Sequence, residues 1–146
     1  MSDPIVVELT ASETHPLRLA VLRFDTVSKQ VVFPQDEWPG VVHLGLRLDG
    51  ELVGTSTWVP REHDGEPAVQ LRGMATARNL QGHGLGGILL EAGCARHAAA
   101  GTPVVWANAR DAALAFYQRH GFVVVGDGWI DETTQLPHHL VLRRLA

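Results

Sequence analysis

Apolar residues recur along the chain with two periods, and the switches between them mark the elements. Residues 5–9 form a short apolar strand. Thr10 with Glu13, or Ser12 and Thr14, offer helix-capping groups, and Pro16 fits a first turn. Leu17, Ala20, Val21 and Phe24 follow at helical spacing and predict a helix with one buried face. Residues 25–40 sustain no period and hold two prolines, so they read as a loop with a short strand or turn. Residues 41–48 and 51–59 alternate as two strands joined at Asp49-Gly50, a hairpin signal. After a polar connection (61–66), residues 68–76 read as an apolar strand, and Ile88, Leu89, Ala92, Ala95 and Ala99 then keep helical spacing.

Gly101-Thr102-Pro103 stops that helix, and Val104-Val105-Trp106-Ala107 reads as a strand buried on both faces. Strand, helix and strand predict a parallel crossover. Asn108 or Asp111 is placed to cap a further helix, with Ala112, Ala115, Phe116 and Arg119 on one side, Ala113, Leu114 and Tyr117 on the next, and His120-Gly121 at its end. Residues 122–125 read as a strand, 126–136 as a loop and 138–145 as a closing strand. The order is strand, helix, three strands, helix, strand, helix, two strands. It predicts an α/β (or α+β) fold: a central mixed twisted sheet of about six or seven strands, with helices on both faces.

The chain of 146 residues is long enough for a proper core and is expected to be one domain, 1–146. A formal net charge of -4 and the lack of a basic run argue against a nucleic-acid partner. No apolar stretch approaches membrane-spanning length and no charged, apolar leader opens the chain, so a cytoplasmic location without a membrane partner is expected. The lone cysteine, Cys94, excludes an internal disulfide and falls within the long helix, where packing is its expected role.

Between the strand at 68–76 and the long helix lies Gln81-Gly82-His83-Gly84-Leu85-Gly86-Gly87. Its glycines leave backbone N–H groups uncovered just before a helix whose first turn has unpaired N–H groups of its own, a setting that suits a phosphate or diphosphate. A P-loop is excluded, because no Lys-Ser or Lys-Thr follows the glycines. Gly82, Gly84 and Gly87 match a dinucleotide fingerprint, but Ala77 to Gln81 separate it from the strand and Asn108 stands where the ribose-binding acid belongs. Gln81, Gly84 and Gly86 also fit a Gln/Arg-x-x-Gly-x-Gly/Ala loop, and here the chain resembles the GNAT superfamily of acyl-CoA N-acetyltransferases. Further segments share the resemblance: 71–76 (LRGMAT), 106–122 (WANARDAALAFYQRHGF) and 137–141 (PHHLV), with Val141 where the family usually has Met. It covers residues 41 to 145 well and the first forty more loosely.

The resemblance implies acetyl-CoA as co-substrate and a primary amine of a small molecule or peptide as acceptor. It implies coenzyme contacts from the backbone of Met74, Ala75 and Thr76, from the loop Gln81, Gly82, His83, Gly84, Leu85, Gly86 and Gly87, and from Asn108 beside the pantetheine arm. His83 stands where the family more often has Arg or Lys. Tyr117 is the implied acid that protonates the departing thiolate while lying along the coenzyme. Glu37, His43, His63 and His138, with Asp36 behind them, are the candidate bases; Glu37 and His138 are carried forward beside Tyr117 as catalytic. Arg110 could pair with Asp111 or reach a phosphate, and a solvated surface role is the favoured reading. No metal is implied, since alternation points His138 and His139 to opposite faces. A homodimer is common in the family, but no interface pattern is visible. Two other expectations stay open: a non-catalytic acyl-CoA-binding module on the same fold, and a dinucleotide-binding domain.

Overall fold

The predicted hairpin forms because Asp49 and Gly50 both take positive φ (51° and 82°), the backbone of a tight turn whose twist matches its strands. It joins β2 (Val42–Leu48) to β3 (Glu51–Pro60). The computed structural model, which describes residues 3–145, adds β1 (Ile5–Leu9), β4 (Val69–Thr76), β5 (Val104–Arg110), β6 (Val123–Ile130) and β7 (Pro137–Arg144). These seven strands make one sheet in the order β1-β2-β3-β4-β5-β7-β6. Every neighbouring pair is antiparallel except β4 and β5, which are parallel and linked by α2 (Leu85–Ala99). The sheet is thus mixed, as its predicted element order requires.

Helices cover both faces. On one, α2 and α3 (Leu114–Arg119) pack Leu85, Leu89, Leu90, Cys94 and Tyr117, with Phe122 just beyond α3, against Leu46, Trp58, Leu71, Val105 and Val141. Gly101 and Gly121, both left-handed, end these two helices; the Thr102 and Phe122 amides reach back to the carbonyls of His97 and Tyr117. On the other face, α1 (His15–Leu17) sits between a 3-10 turn (Ser12–Thr14) and a π-helical turn (Arg18–Leu22).

Here the structure corrects the expected buried face. Thr14, Arg18 and Arg23 point inward, whereas Ala20 is exposed and Phe24 is half exposed beneath the Arg78 guanidinium. The π turn rotates the face, and a fully buried Arg18 pairs with Asp36, a contact that helical spacing cannot reveal. In α2, Ile88, Ala95 and Ala99 likewise face outward, while Leu85, Leu89, Leu90, Gly93 and Cys94 are buried. The expected loop at 126–136 is also shorter. β6 continues through a bulge at Gly126 and pairs Trp129 with His138, because ladder bonding to β7 outweighs the strand-breaking glycines. Neither Asn108 nor Asp111 caps the helix after β5; the capping position is Arg110 and bears no side-chain bond.

One close approach fixes α2 on the sheet. A Cβ on Gly93 would lie 1.8 Å from Cζ2 of Trp58, a fully buried ring whose Nε1 donates to Ser56 Oγ at 2.8 Å. Gly93→Ala should therefore destabilise the fold by about 2 kcal/mol net, overpacking outweighing the helix preference of alanine. Thermal denaturation should show the melting temperature falling by about 5–10 °C; an unchanged value would contradict this packing.

Candidate active site

The parallel strands β4 and β5 pair only at their beginnings, Val69 with Val105 and Gln70 with Trp106. Beyond that point β5 stays with β7 as far as Arg110 opposite His138, and β4 stays with β3 as far as Thr76 opposite Gly54. The parting has a local cause. Between the pairs Thr57–Arg72 and Thr55–Ala75, β3 holds one residue and β4 holds two, Gly73 and Met74. This is a bulge, which bends its strand and strengthens the twist. Gly73 takes φ 59°, and a Cβ there would lie 3.0 Å from Arg18 Nε and from Phe33 Cε2. Glycine is required for both reasons. The separated strands open a cavity of about 330 Å³ whose wall includes Gly73, Met74, Asn108 and Tyr117.

The glycine loop follows β4. Gly82 and Gly84 have φ of 84° and 81°, and Gly84 is the residue that opens α2. Among the described residues no amide from Gly82 to Gly87 donates to an internal acceptor; the first helical bond runs from Ile88 N to Gly84 O, at 3.3 Å. These free donors and the positive end of α2 form a concentration of N–H groups of the kind that suits an anion. Gln81 holds the loop to the strand, its Nε2 donating to Thr76 O at 3.1 Å. Gly86 packs on Thr76 and Phe116, and a Cβ on Gly87 would come within 2.8 Å of the His120 ring. Leu85 is buried and anchors the first turn, while His83 is exposed.

Met74, Asn108, Tyr117 and His138 all line the cavity, so distant parts of the chain converge there. Met74 and Thr76 are half-buried, Ala75 is buried, and Asn108 is exposed with no side-chain hydrogen bond among the described residues. Tyr117 is 6% exposed and held edge-to-face by Phe116 and Phe122, with ring centroids 5.2 and 5.3 Å away. Burial raises the pKa of its phenol, and the neighbouring Cys94 adds to the effect, so the hydroxyl stays protonated at neutral pH. Burial also pushes the Cys94 thiol up to about 11, which leaves it inert as a nucleophile.

The candidate bases separate cleanly. His138 is buried against the cavity, and its Nδ1–H donates to Leu136 O at 2.9 Å, which leaves Nε2 as a free acceptor. His43 has both nitrogens engaged: Nε2–H donates to Asp36 O at 3.1 Å, and Nδ1 accepts from Thr57 Oγ1 at 2.8 Å. Asp36 is locked by Arg18. Glu37 is exposed and does not line the cavity; its polar 3-10 turn (Pro34–Glu37) points Asp36 inward instead. His63 packs on Trp106 in the β3–β4 connection, outside the cavity wall. His139 turns away to Asp111, with Nδ1 to Oδ1 at 2.6 Å.

Among the wall residues not singled out from sequence are Arg23, Phe33, Arg72 and Asp131. Arg110, read there as solvated, also lies on the wall, its Nη2 donating to Leu22 O. Asp131 follows β6, and its Oδ2 accepts from the amide and hydroxyl of Thr134, at 2.9 and 3.2 Å. Burial opposes its ionisation, but these bonds and the nearby His138 prevail and hold its carboxyl below the usual range. Arg72 lies within the LRGMAT segment and Arg23 within the periodic stretch 17–24, but nothing in the sequence shows that their side chains, or those of Phe33 and Asp131, meet in one cavity. Among the described residues no group of three or more His, Cys, Asp or Glu is placed to hold a metal, and no helix is long and apolar enough to cross a membrane.

Comparison with known proteins agrees with this geometry. The profile of the acetyltransferase (GNAT) family matches residues 11–122. An uncharacterised N-acetyltransferase of Bacillus subtilis (strain 168), YitI, is 26% identical over 140 residues, spanning 94% of this chain and 93% of its own. In structure the chain resembles Escherichia coli ElaA, with a TM-score of 0.80 at 20% identity, over 97% of this chain and 99% of that one. It also resembles an aminoglycoside 6'-N-acetyltransferase complexed with coenzyme A, with a TM-score of 0.76 at 14% identity, over 97% of each chain.

Proposed function

The chain belongs to the acetyltransferase (GNAT) family, and from that membership we propose that it moves an acetyl group from acetyl-CoA to a primary amine by direct attack in a ternary complex. One observation carries the reading: β4 and β5 part beside a loop whose amides from Gly82 to Gly87 are free. Those amides would hold the diphosphate of the coenzyme, with His83 and Leu85 in the same turn and Gln81 bracing it. Met74, Ala75 and Thr76 would present main-chain groups to the acetyl and pantetheine portions, and Asn108 would face them from β5. Acetyl-CoA supplies an activated thioester. A fixed N–H on the edge of β4 stabilises the oxyanion that forms as nitrogen attacks the carbonyl carbon.

His138 Nε2 takes the proton that the attacking ammonium must lose, directly or through water. Tyr117 donates its phenolic hydrogen to sulfur as the carbon–sulfur bond breaks, and the second proton that the nitrogen loses as the amide forms returns through water to the phenolate, which closes the proton balance. Glu37, exposed off the cavity, takes no part. Holding amine and thioester together supplies much of the acceleration. We also propose that residues 1–146 act as one domain. A homodimer would form along β6, one of the two edge strands of the sheet, where Val123, Trp129 and Ile130 are exposed; sedimentation would detect it.

The test is thiol release from acetyl-CoA across a broad panel of primary amines. Release with at least one amine is expected. Thermal protection by coenzyme A without release from any amine would instead favour a binding module. Protection by NAD but not by coenzyme A would favour a dinucleotide site at Gly82, Gly84 and Gly87.

A further inference from the structure

We infer that the acceptor amine also carries an oxyanion, a carboxylate or a phosphate, and that Arg23, Arg72 and Arg110 on the cavity wall select it. The inference rests on the acetyl-transfer reading of the same cavity. Three guanidiniums share this wall with a single carboxylate, Asp131. Among the described residues none of the three arginines lies within ion-pair distance of a carboxylate, a lack that Arg61, Arg78 and Arg119 share, whereas Arg18, Arg47, Arg96, Arg143 and Arg144 each have such a partner; what sets the three apart is that they face one cavity. Arginine does not shed its proton in a protein, so this charge persists and an anion is needed to meet it.

The donors are placed to do so. Arg23 is only 8% exposed; its Nε donates to Gln30 O at 2.9 Å and its Nη1 to Leu22 O at 3.2 Å, while Nη2 has no partner among the described residues. Arg72 spends Nη1 on Gln35 Oε1, and among the described residues the rest of its fork is unpaired. Its guanidinium lies over Phe33, 4.6 Å from the ring centroid, with that of Arg23 at 5.9 Å from the same ring, so the ring holds the two together. Burial disfavours the charge on both, and neighbouring arginines add to the cost: Arg110 beside Arg23, Arg18 beside Arg72. A planar oxyanion relieves that crowding by accepting paired N–H bonds from such forks.

The coenzyme does not account for these groups, because the free amides that suit its diphosphate belong to Gly82–Gly87 and that loop is not part of the cavity wall. A polyamine would be repelled. A small molecule with an amine and an oxyanion would meet both ends of the chemistry, the amine at His138 and the oxyanion at the arginines. A cavity of about 330 Å³ accommodates one of amino-acid size.

The test uses the full chain with acetyl-CoA and four matched sets of acceptors: free amino acids, their carboxamides, the decarboxylated amines, and phosphate-bearing amines. Oxyanion-bearing acceptors should be preferred by about 100-fold in kcat/KM over uncharged counterparts, since a neutral group leaves the fork unpaired. The carboxylate and phosphate sets decide which oxyanion it is. R23Q and R72Q should each raise the acceptor KM by about 10-fold or more and shrink the preference over carboxamides, with the KM for acetyl-CoA changed less than about 3-fold. Should R23Q fail to fold, R110Q, at a half-exposed position, should shift the preference in the same direction. Preference for neutral amines or polyamines overturns the inference, as does a rise in the acetyl-CoA KM alone. If no acceptor releases thiol, the transfer reading has failed. Thermal protection by free amino acids or phosphate-bearing amines, present in the wild type and lost in R23Q, would then still support an oxyanion site, and its absence would overturn it.

Discussion

Tyr117→Phe is expected to lower kcat by about 100-fold while the KM for acetyl-CoA and the melting temperature stay close to wild type. The ring is fixed by Phe116 and Phe122 and the hydroxyl has no hydrogen-bond partner among the described residues, so phenylalanine preserves the packing. What it removes is the proton offered to the departing sulfur. Because burial raises the phenol's pKa, the hydroxyl remains protonated throughout the neutral range. Hence loss of the Tyr117 proton should not depress the wild-type rate below about pH 10, the ordinary value for tyrosine. In the proposed reaction its contribution is the hydrogen bond given to sulfur as charge develops there. Steady-state kinetics of the two proteins would decide it, and equal kcat values would leave Tyr117 a packing residue.

Arg18→Ala should cost about 3–5 kcal/mol of folding stability, the loss typical when one member of a buried ion pair is removed. Arg18 is fully buried and sends Nη1 to Asp36 Oδ2 at 2.8 Å and Nη2 to Asp36 Oδ1 at 2.9 Å. Nη1 also reaches Val31 O, and Nη2 reaches Thr57 Oγ1, which in turn donates to His43. Without the guanidinium, the Asp36 carboxylate stays buried with only the Phe33 amide, at 3.0 Å, on its oxygens. Replacing both partners, as Arg18→Met with Asp36→Leu, should cost much less than the single change. Denaturant titration measures both; a loss below about 1 kcal/mol for Arg18→Ala would refute the account.

The same pair sets an acid limit. Burial opposes the charge on Asp36, but the bonds from Arg18 and the Phe33 amide prevail, and its pKa is lowered. A depressed carboxyl contributes stability above the unfolded value, about 3.9, and loses it as pH falls through the folded value. The denaturation midpoint should therefore drop below about pH 4, and less steeply in Asp36→Asn.

Much of the fold was legible because its signals are local. Asp49-Gly50 can adopt the hairpin backbone, Gly101 and Gly121 the helix ends, and strand alternation needs no distant partner. The glycine loop was legible for the same reason, since free amides follow from the backbone alone. The misreadings share the opposite cause. Gly126 reads as a strand end until β7 pairs across it, and Leu17 to Phe24 read as an apolar face until Arg18 meets Asp36. Among the candidate bases, nothing local separates Glu37 or His43 from His138. Tertiary structure does, by leaving Glu37 exposed off the cavity, engaging both nitrogens of His43 and leaving Nε2 of His138 without a partner among the described residues.

The chain alone therefore determined the order of elements, the amide cradle before α2 and the presence of Tyr117 in the helix that follows β5. Tertiary structure decided the rest: the gap opened by the Gly73 bulge, and the meeting of Arg23, Arg72, Arg110, Asp131 and His138 around it. The physical reason is range. Backbone preferences act between neighbours in sequence, whereas charge, burial and hydrogen bonding depend on distance in space, which a linear string does not contain.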